Sequence, residues 1–212
     1  NPTPSKTSHN TLIEVIWTVG PVVVLLFIAI PSFQLLTVQL TPPTSPVLTV
    51  KATGYQWYWG YEYQAEEPLT YESRLAADAD RAGLGKEDRA AYPTLLAVDN
   101  EMVVPLGETV RLIVTGSDVI HAFAMPALGL KLDAIPGRLN ETWFKADKEG
   151  LFYGQCSEIC GKDHAFMPIA IRVVSRAKYD AWYAAAKTDL PGANKSLMAA
   201  TSSKAAVEVA GN

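Results

Sequence analysis

Hydrophobic and polar positions divide the chain abruptly. Residues 1–14, NPTPSKTSHNTLIE, are polar, with Lys6 and Glu14 as the only charges, whereas no charged residue occurs from Val15 to Val50. Within that stretch VIWTVGPVVVLLFIAIPSFQLLT, Val15 to Thr37, is almost wholly apolar. As a helix it would extend roughly 35 Å at ~1.5 Å per residue, enough to cross a bilayer core. Its apolar residues cover every face, whereas a surface helix of a soluble protein keeps a polar side. Pro21 and Pro31 are better tolerated in a membrane helix, and Trp17 stands where an interfacial aromatic is expected. The pattern predicts a loop over 1–14, a transmembrane helix over 15–40 and a stiff linker, TPPTSP, over 41–46.

Beyond the linker the period shortens to two. In VLTVKAT, Leu48, Val50 and Ala52 alternate with Thr49, Lys51 and Thr53, and in YQWYWGYEY an extended chain would put Tyr55, Trp57, Trp59, Tyr61 and Tyr63 on one face. Further strand-like runs are 94–104, 109–116, 118–125, 141–146, 150–156 and 167–174, punctuated by Pro105 with Gly107, Gly116 with Ser117 and Pro136 with Gly137. Many short strands with frequent turns predict an all-β sandwich or barrel over 47–175. Residues 72–92 are charged and alanine-rich, which reads as an exposed insertion with some helix. In 176–188, Tyr179, Trp182, Tyr183 and Ala186 follow helical spacing, and 189–212 reads as a flexible tail.

Composition narrows the partners. The chain has 212 residues, 49% hydrophobic, and a formal net charge of −4, which argues against nucleic acid. Two cysteines are too few for a disulfide scaffold, so their spacing carries the argument. Both lie in CSEICGKDHAFM, where Cys156, Cys160, His164 and Met167 supply thiolate, imidazole and thioether, a soft set that selects copper or zinc, with methionine favouring copper. A mononuclear blue-copper site needs a second histidine, and His121 is the candidate, since His9 lies beyond the predicted membrane helix. Cys156 then exceeds the needs of a single copper. Two thiolates on one loop can bridge two coppers, each with one terminal histidine, Met167 as a weak extra ligand and a backbone carbonyl filling the last place. Such a pair relays electrons with little reorganisation and does not turn over a substrate. A Cys156–Cys160 disulfide and a Cys2His2 zinc site remain the other readings of the same residues.

The loop YGQCSEICGKDHAFMPI, the segment SDVIHAFAMPALGLKLDAIPGRLNETWF and the aromatic run GYQWYWGYEY resemble, in order, the hallmarks of subunit II of haem–copper cytochrome c oxidases. HNTLIEVIWTVGP resembles the start of that family's second transmembrane helix. The resemblance implies a cupredoxin-like Greek-key β-barrel or sandwich, mainly β, with an N-terminal transmembrane helix. It implies a binuclear copper A centre in which His121 and Met167 serve one copper, His164 and the Glu158 carbonyl the other, and Cys156 and Cys160 both. The Glu158 side chain would help bind magnesium or manganese shared with subunit I, a role suited to a carboxylate. Trp57 would be the entry point for electrons from cytochrome c, and Glu14 a proton entry. Asp118, Glu62, Glu66 and Glu67 would present negative charge to a basic cytochrome c.

The implied function is that of an oxidase subunit which passes electrons from cytochrome c to the haems of subunit I, for oxygen reduction coupled to proton pumping. Its partners are then subunit I, other oxidase subunits, cytochrome c and membrane lipid. The expected setting is a bacterial inner membrane with the copper domain on the periplasmic side, or a mitochondrial inner membrane with that domain facing the intermembrane space. The family's first transmembrane helix has no counterpart here, so a segment preceding Asn1 is expected. No CxxCH motif follows the β domain, so the electron donor is expected to be a separate protein. Competing readings are a quinol oxidase subunit without a copper relay, a single-copper carrier or structural metal module, and nitrous oxide reductase.

Overall fold

The structure, a computed structural model, describes residues 2–201 and 207–208. The chain forms two units, Asn1–Thr41 and Pro42–Asn212. The first is built on one helix, α1 (Thr11–Leu40), of 30 residues, none buried. Its length and apolar composition suffice to cross a membrane. It begins earlier than the expected boundary at Val15, because Asn10 caps it. The Asn10 side chain accepts from the Ile13 N–H at 3.3 Å, and the Glu14 carboxylate accepts from the Asn10 N–H at 3.0 Å. This reciprocal cap satisfies N–H groups that a bare helix end would leave unpaired. Glu14 therefore lies in the first helical turn and not in a preceding loop. Pro21 and Pro31 are both accommodated inside the helix.

The second unit is a β-sandwich of two mixed sheets. Its strands are β1 (Leu48–Tyr55), β2 (Tyr58–Tyr63), β3 (Leu69–Ser73), β4 (Met102–Pro105), β5 (Thr109–Gly116), β6 (His121–Met125), β7 (Leu130–Ala134), β8 (Asn140–Lys145), β9 (Gly150–Cys156) and β10 (Pro168–Val174). One sheet has the order β3-β2-β1-β5-β8 and the other β4-β10-β9-β6-β7, with the short segment Val207–Glu208 also pairing with β9. The β1–β5 and β4–β10 pairs are parallel and the others in these two orders antiparallel. Alternation in β1 buries Val50 and Ala52, and in β2 it buries Trp59, Tyr61 and Tyr63. Beside them in the same sheet are Leu112 and Val114 of β5, and the other sheet contributes Phe123 and Met125 of β6 and Ile169 and Ile171 of β10 to the same core. Each such fully buried side chain contributes about 1.5–3 kcal/mol relative to exposure.

Four expectations change. The aromatic run is not one strand: Gln56 and Trp57 form the turn between β1 and β2, so Tyr55 and Trp57 leave the buried face and Tyr55 instead stacks on Tyr58 at 4.8 Å. Of 94–104 only the end, in β4, is strand, because 97–99 close the insertion: Ala97 O accepts from Ala76 N–H and Asp99 N–H donates to Arg74 O, each at 2.9 Å. The insertion contains one helical turn, α2 (Arg81–Leu84), but it is not simply exposed, since Arg81 and Lys86 are buried. The expected tail is helical over α4 (Leu190–Thr201), which packs on α3 (Arg176–Ala186). Ala193 and Leu197, four apart, bury one face of α4, and the Trp182 indole donates to Asn194 Oδ1 at 2.8 Å. The remainder of the expected tail, 202–206 and 209–212, lies outside the described residues. Strands β3 and β7 had no counterpart among the expected runs.

Candidate metal centre

Three strands converge on the soft-ligand loop. Cys156 ends β9 opposite Phe123 of β6, which places His121, the first residue of β6, across from it. The chain then runs through Glu158, Cys160 and a short 3-10 turn, His164–Phe166, before Met167 leads into β10. Hairpin pairing of Gln155 with Pro168 closes this loop at its base. The Gln155 amide reaches across to the carbonyl of Ala165 at 2.7 Å, beside His164.

The sulfur atoms of Cys156 and Cys160 are 3.9 Å apart, in two free, buried cysteines. A disulfide would require about 2.05 Å, so the two are not bridged. His121 Nδ1 flanks Cys156 Sγ at 4.0 Å, and His164 Nδ1 flanks Cys160 Sγ at 3.4 Å. Met167 Sδ lies 3.5 Å from Cys160 Sγ, and the Glu158 carbonyl oxygen 3.4 Å from Cys156 Sγ. His121, Cys156 and Cys160 offer ligand atoms all within 4.8 Å of one another, and the three could hold a metal ion. Two sulfurs this close can both bond one ion at metal–sulfur lengths of about 2.3 Å. His121 and Met167 are 0% and 1% exposed, so the centre is walled from water on the protein side, while the Glu158 side chain is exposed.

Burial opposes charge on Cys156, Cys160 and His121, and their neighbours decide the outcome. Burial would raise the Cys156 thiol, but hydrogen bonds from His121 and the Ala122 backbone outweigh it and hold Cys156 below the usual thiol range. Burial and then the neighbouring Cys156 thiolate push Cys160 well up. Burial disfavours the His121 cation, yet Cys156 and Asp118 raise it above the ordinary imidazole range. Without metal, then, one thiolate forms readily and the second resists. A bound cation reverses that, because it replaces the proton on each thiol.

Around these groups the structure adds residues that sequence reasoning placed elsewhere or passed over. Asp118 Oδ1 meets His121 Nε2 at 2.9 Å, so its charge is directed inward. Gln56 Nε2 and Trp57 Nε1 both donate to the Cys160 carbonyl, at 2.7 and 3.2 Å. Gly54 lies against the His121 ring so closely that a Cβ there would stand 2.7 Å from Cδ2, and Gly161, at φ +126°, lies against Trp57 in the same way. The Asp118-x-x-His121 spacing was the one available signal for the first contact, while Gln56, Gly54 and Gly161 had none. Glu14 belongs to the other unit, and its observed partner is the Asn10 N–H.

Known proteins similar to this chain point to one family. The family described as "Cytochrome C oxidase subunit II, periplasmic domain" matches residues 48–174, and "Cytochrome C oxidase subunit II, transmembrane domain" matches residues 1–35. The chain is 49% identical over 201 residues to the probable cytochrome c oxidase subunit 2 of Rickettsia felis, covering 94% of this chain and 61% of that protein. It thus spans less than two thirds of that relative's length. The crystal structure of the periplasmic domain of subunit II of cytochrome oxidase of Bradyrhizobium japonicum is similar at 55% identity and a TM-score of 0.61, covering 69% of this chain and 98% of that one. A mixed disulfide intermediate between a thioredoxin-like protein and subunit II of cytochrome c oxidase matches at 55% identity and a TM-score of 0.58, covering 69% of this chain and 95% of that one. With two family matches in sequence along the chain and a relative this similar, the chain belongs to the cytochrome c oxidase subunit II family.

Proposed function

We propose that this chain is the electron inlet of a haem–copper oxidase, accepting electrons from cytochrome c at a binuclear copper centre and passing them to the haems of subunit I. The observation that carries the reading is the paired arrangement of two buried sulfurs 3.9 Å apart, each with its own imidazole. One histidine per thiolate suits two metals better than one, and Met167 and the Glu158 carbonyl complete six donors. The Cys2His2 zinc reading leaves Met167, 1% exposed with its sulfur 3.5 Å from Cys160 Sγ, without a task.

Bound there, a copper pair would take up and release one electron shared between both metals. The protein's part is to hold the ligands rigid and dry. The His121 ring is confined by Gly54 and packs at 6.1 Å from the Trp59 ring, whose indole donates to the Met167 carbonyl at 3.3 Å. Trp57, half-buried and hydrogen-bonded to the Cys160 carbonyl, is the proposed entry for electrons. The exposed Glu158 carboxylate is the proposed contact to magnesium or manganese shared with subunit I, while its backbone carbonyl, 3.4 Å from Cys156 Sγ, would serve the copper pair. Glu14, at the start of a helix long enough to span a membrane, is the proposed proton entry. Oxygen reduction and proton pumping belong to the assembled oxidase, anchored by α1 in a bacterial inner membrane with the copper domain periplasmic; the mitochondrial inner membrane is the alternative.

A thioredoxin-like dithiol protein is a further proposed partner, by analogy with the relative captured in a mixed disulfide. Were Cys156 and Cys160 oxidised, a partner thiolate would attack one sulfur and release the other. The partner's second thiolate would then attack its own bonded sulfur and expel the cysteine still held in the mixed disulfide, so that the partner leaves oxidised and both cysteines are reduced and ready for copper.

Metal analysis tests the central reading. Copper-loaded full chain is expected to hold two coppers and give seven hyperfine lines, because one electron sees two equivalent nuclei of spin three-halves. One copper with four lines, or zinc in preference to copper, would overturn it.

A further inference from the structure

The carboxylate of Asp118 makes more contacts inward than a surface charge needs. Oδ1 accepts from His121 Nε2 at 2.9 Å and from the Val119 N–H at 2.7 Å, and Oδ2 accepts from the Gln56 N–H at 2.7 Å. The same Gln56 sends its side-chain amide to the Cys160 carbonyl at 2.7 Å. One hydrogen-bonded path therefore runs from His121 on β6, through Asp118 and the β1–β2 turn, to Cys160.

We propose that Asp118 is a positioning residue, which keeps the His121 proton on Nε2, aims Nδ1 at the sulfurs and braces His121 against Cys160 through Gln56. The inference rests on the copper reading above. A carboxylate only accepts, so the Nε2 contact requires a proton on that nitrogen. In the neutral ring the lone pair then sits on Nδ1, the atom 4.0 Å from Cys156 Sγ. Gly54 and Trp59 leave the ring little room to rotate away. Partners of this kind fix tautomer and orientation of a ligating histidine, and losing one commonly weakens metal affinity about 10–100-fold.

The test uses full-length chain in detergent, without cytochrome c, so that any effect of Asp118 on donor docking is silent. Asp118→Ala is expected to lower copper affinity about 10–100-fold and to change the hyperfine pattern. Asp118→Asn keeps one acceptor oxygen where three donors converge, and is expected to recover part of both; it also carries the test if the alanine variant does not fold. Gln56→Ala should shift the spectrum in the same direction and by less. Wild-type affinity and an unchanged spectrum in Asp118→Ala would overturn the proposal while leaving the copper reading intact. If wild-type chain binds no copper pair, the copper reading falls. Long-range 1H–15N NMR of metal-free chain, recorded at a pH where the His121 ring is neutral, then decides the positioning: a proton on Nε2 upholds it, and one on Nδ1 overturns it.

Discussion

Strand β10 connects two buried polar clusters that differ in kind. Just before it, Met167 adjoins Cys156, Cys160, His121 and His164, whose ligand atoms meet at 3.4–4.0 Å. Within it, Arg172 pairs with Glu101, which also receives Lys86 at 3.0 Å. Lys86 further donates to the carbonyls of Val98 and Asp99 at 2.6 and 3.1 Å, and Arg172 to the Tyr92 hydroxyl at 3.2 Å. The ion cluster is closed, with opposite charges and carbonyls already at bonding distance. In the sulfur cluster every member can donate electrons to a cation, and the spacing is short enough for shared metal. Burial of polar groups alone therefore does not identify a functional site; the chemistry of what remains to be satisfied does.

The largest expected effect separates the two clusters outright. Cys160→Ser removes one of the two proposed bridging sulfurs while keeping shape and polarity, so the seven-line copper signal should vanish and thermal stability should change little. A variant that kept the signal would show that one thiolate suffices. Glu101→Gln should do the reverse. It leaves two buried cations, Lys86 at 2% and Arg172 at 3% exposure, without their anion, at a cost of about 3–5 kcal/mol. Denaturant unfolding would measure that loss, and the copper spectrum of the folded fraction should be unchanged. Acid titration adds a signature. Burial would raise the Glu101 carboxyl, but Arg172 and Lys86 outweigh it and hold it down at about 2, against an ordinary 4.5. A carboxyl depressed in the folded state contributes stability that is fully present above its unfolded value and lost as pH falls through its folded one. Wild-type chain should therefore lose stability between these two values, and Glu101→Gln should show a flatter acid limb.

The contrast also explains what could be read in advance. Four of the five side-chain donors lie within twelve residues and are rare types, so spacing exposed them. His121 was found because the chain has only three histidines. Lys86, Glu101 and Arg172 are common residues far apart in sequence, and only the return of the insertion to β10 joins them. Sheet alternation revealed β1 and the buried half of β2, but the turn at Gln56 and Trp57 interrupts an aromatic run whose period continues through it. For α4, the run ANKSLMAA reads as small and polar until Ala193 and Leu197 are seen on the face that meets α3.

Gly54→Ala probes the wall between the metal centre and the sheet with a smaller change. The added methyl would stand 2.7 Å from His121 Cδ2 and 2.8 Å from Cγ, with His121 held by Asp118 on its other side. Either the ring or β1 must shift, which should cost about 1–3 kcal/mol and broaden or displace the copper signal. An alanine variant with wild-type stability and spectrum would mean that the ring is less confined than its contacts imply. The ion cluster, built from Lys86 of the insertion, Glu101, and Arg172 of β10, should not respond.

The smallest effect on copper is expected at Glu158, where one residue is assigned to two metals through different atoms. Its carbonyl oxygen, 3.4 Å from Cys156 Sγ, belongs to the backbone and survives any side-chain change, whereas its carboxylate is exposed. Glu158→Gln should therefore leave copper stoichiometry and hyperfine pattern as they are. In the assembled oxidase, manganese content measured by its own resonance signal should fall, because a neutral amide is a poorer ligand than a carboxylate for a hard cation. Loss of copper in this variant would mean that the side chain, and not the carbonyl, supports the centre. Unchanged manganese would remove Glu158 from the second site while leaving the six-donor copper reading untouched.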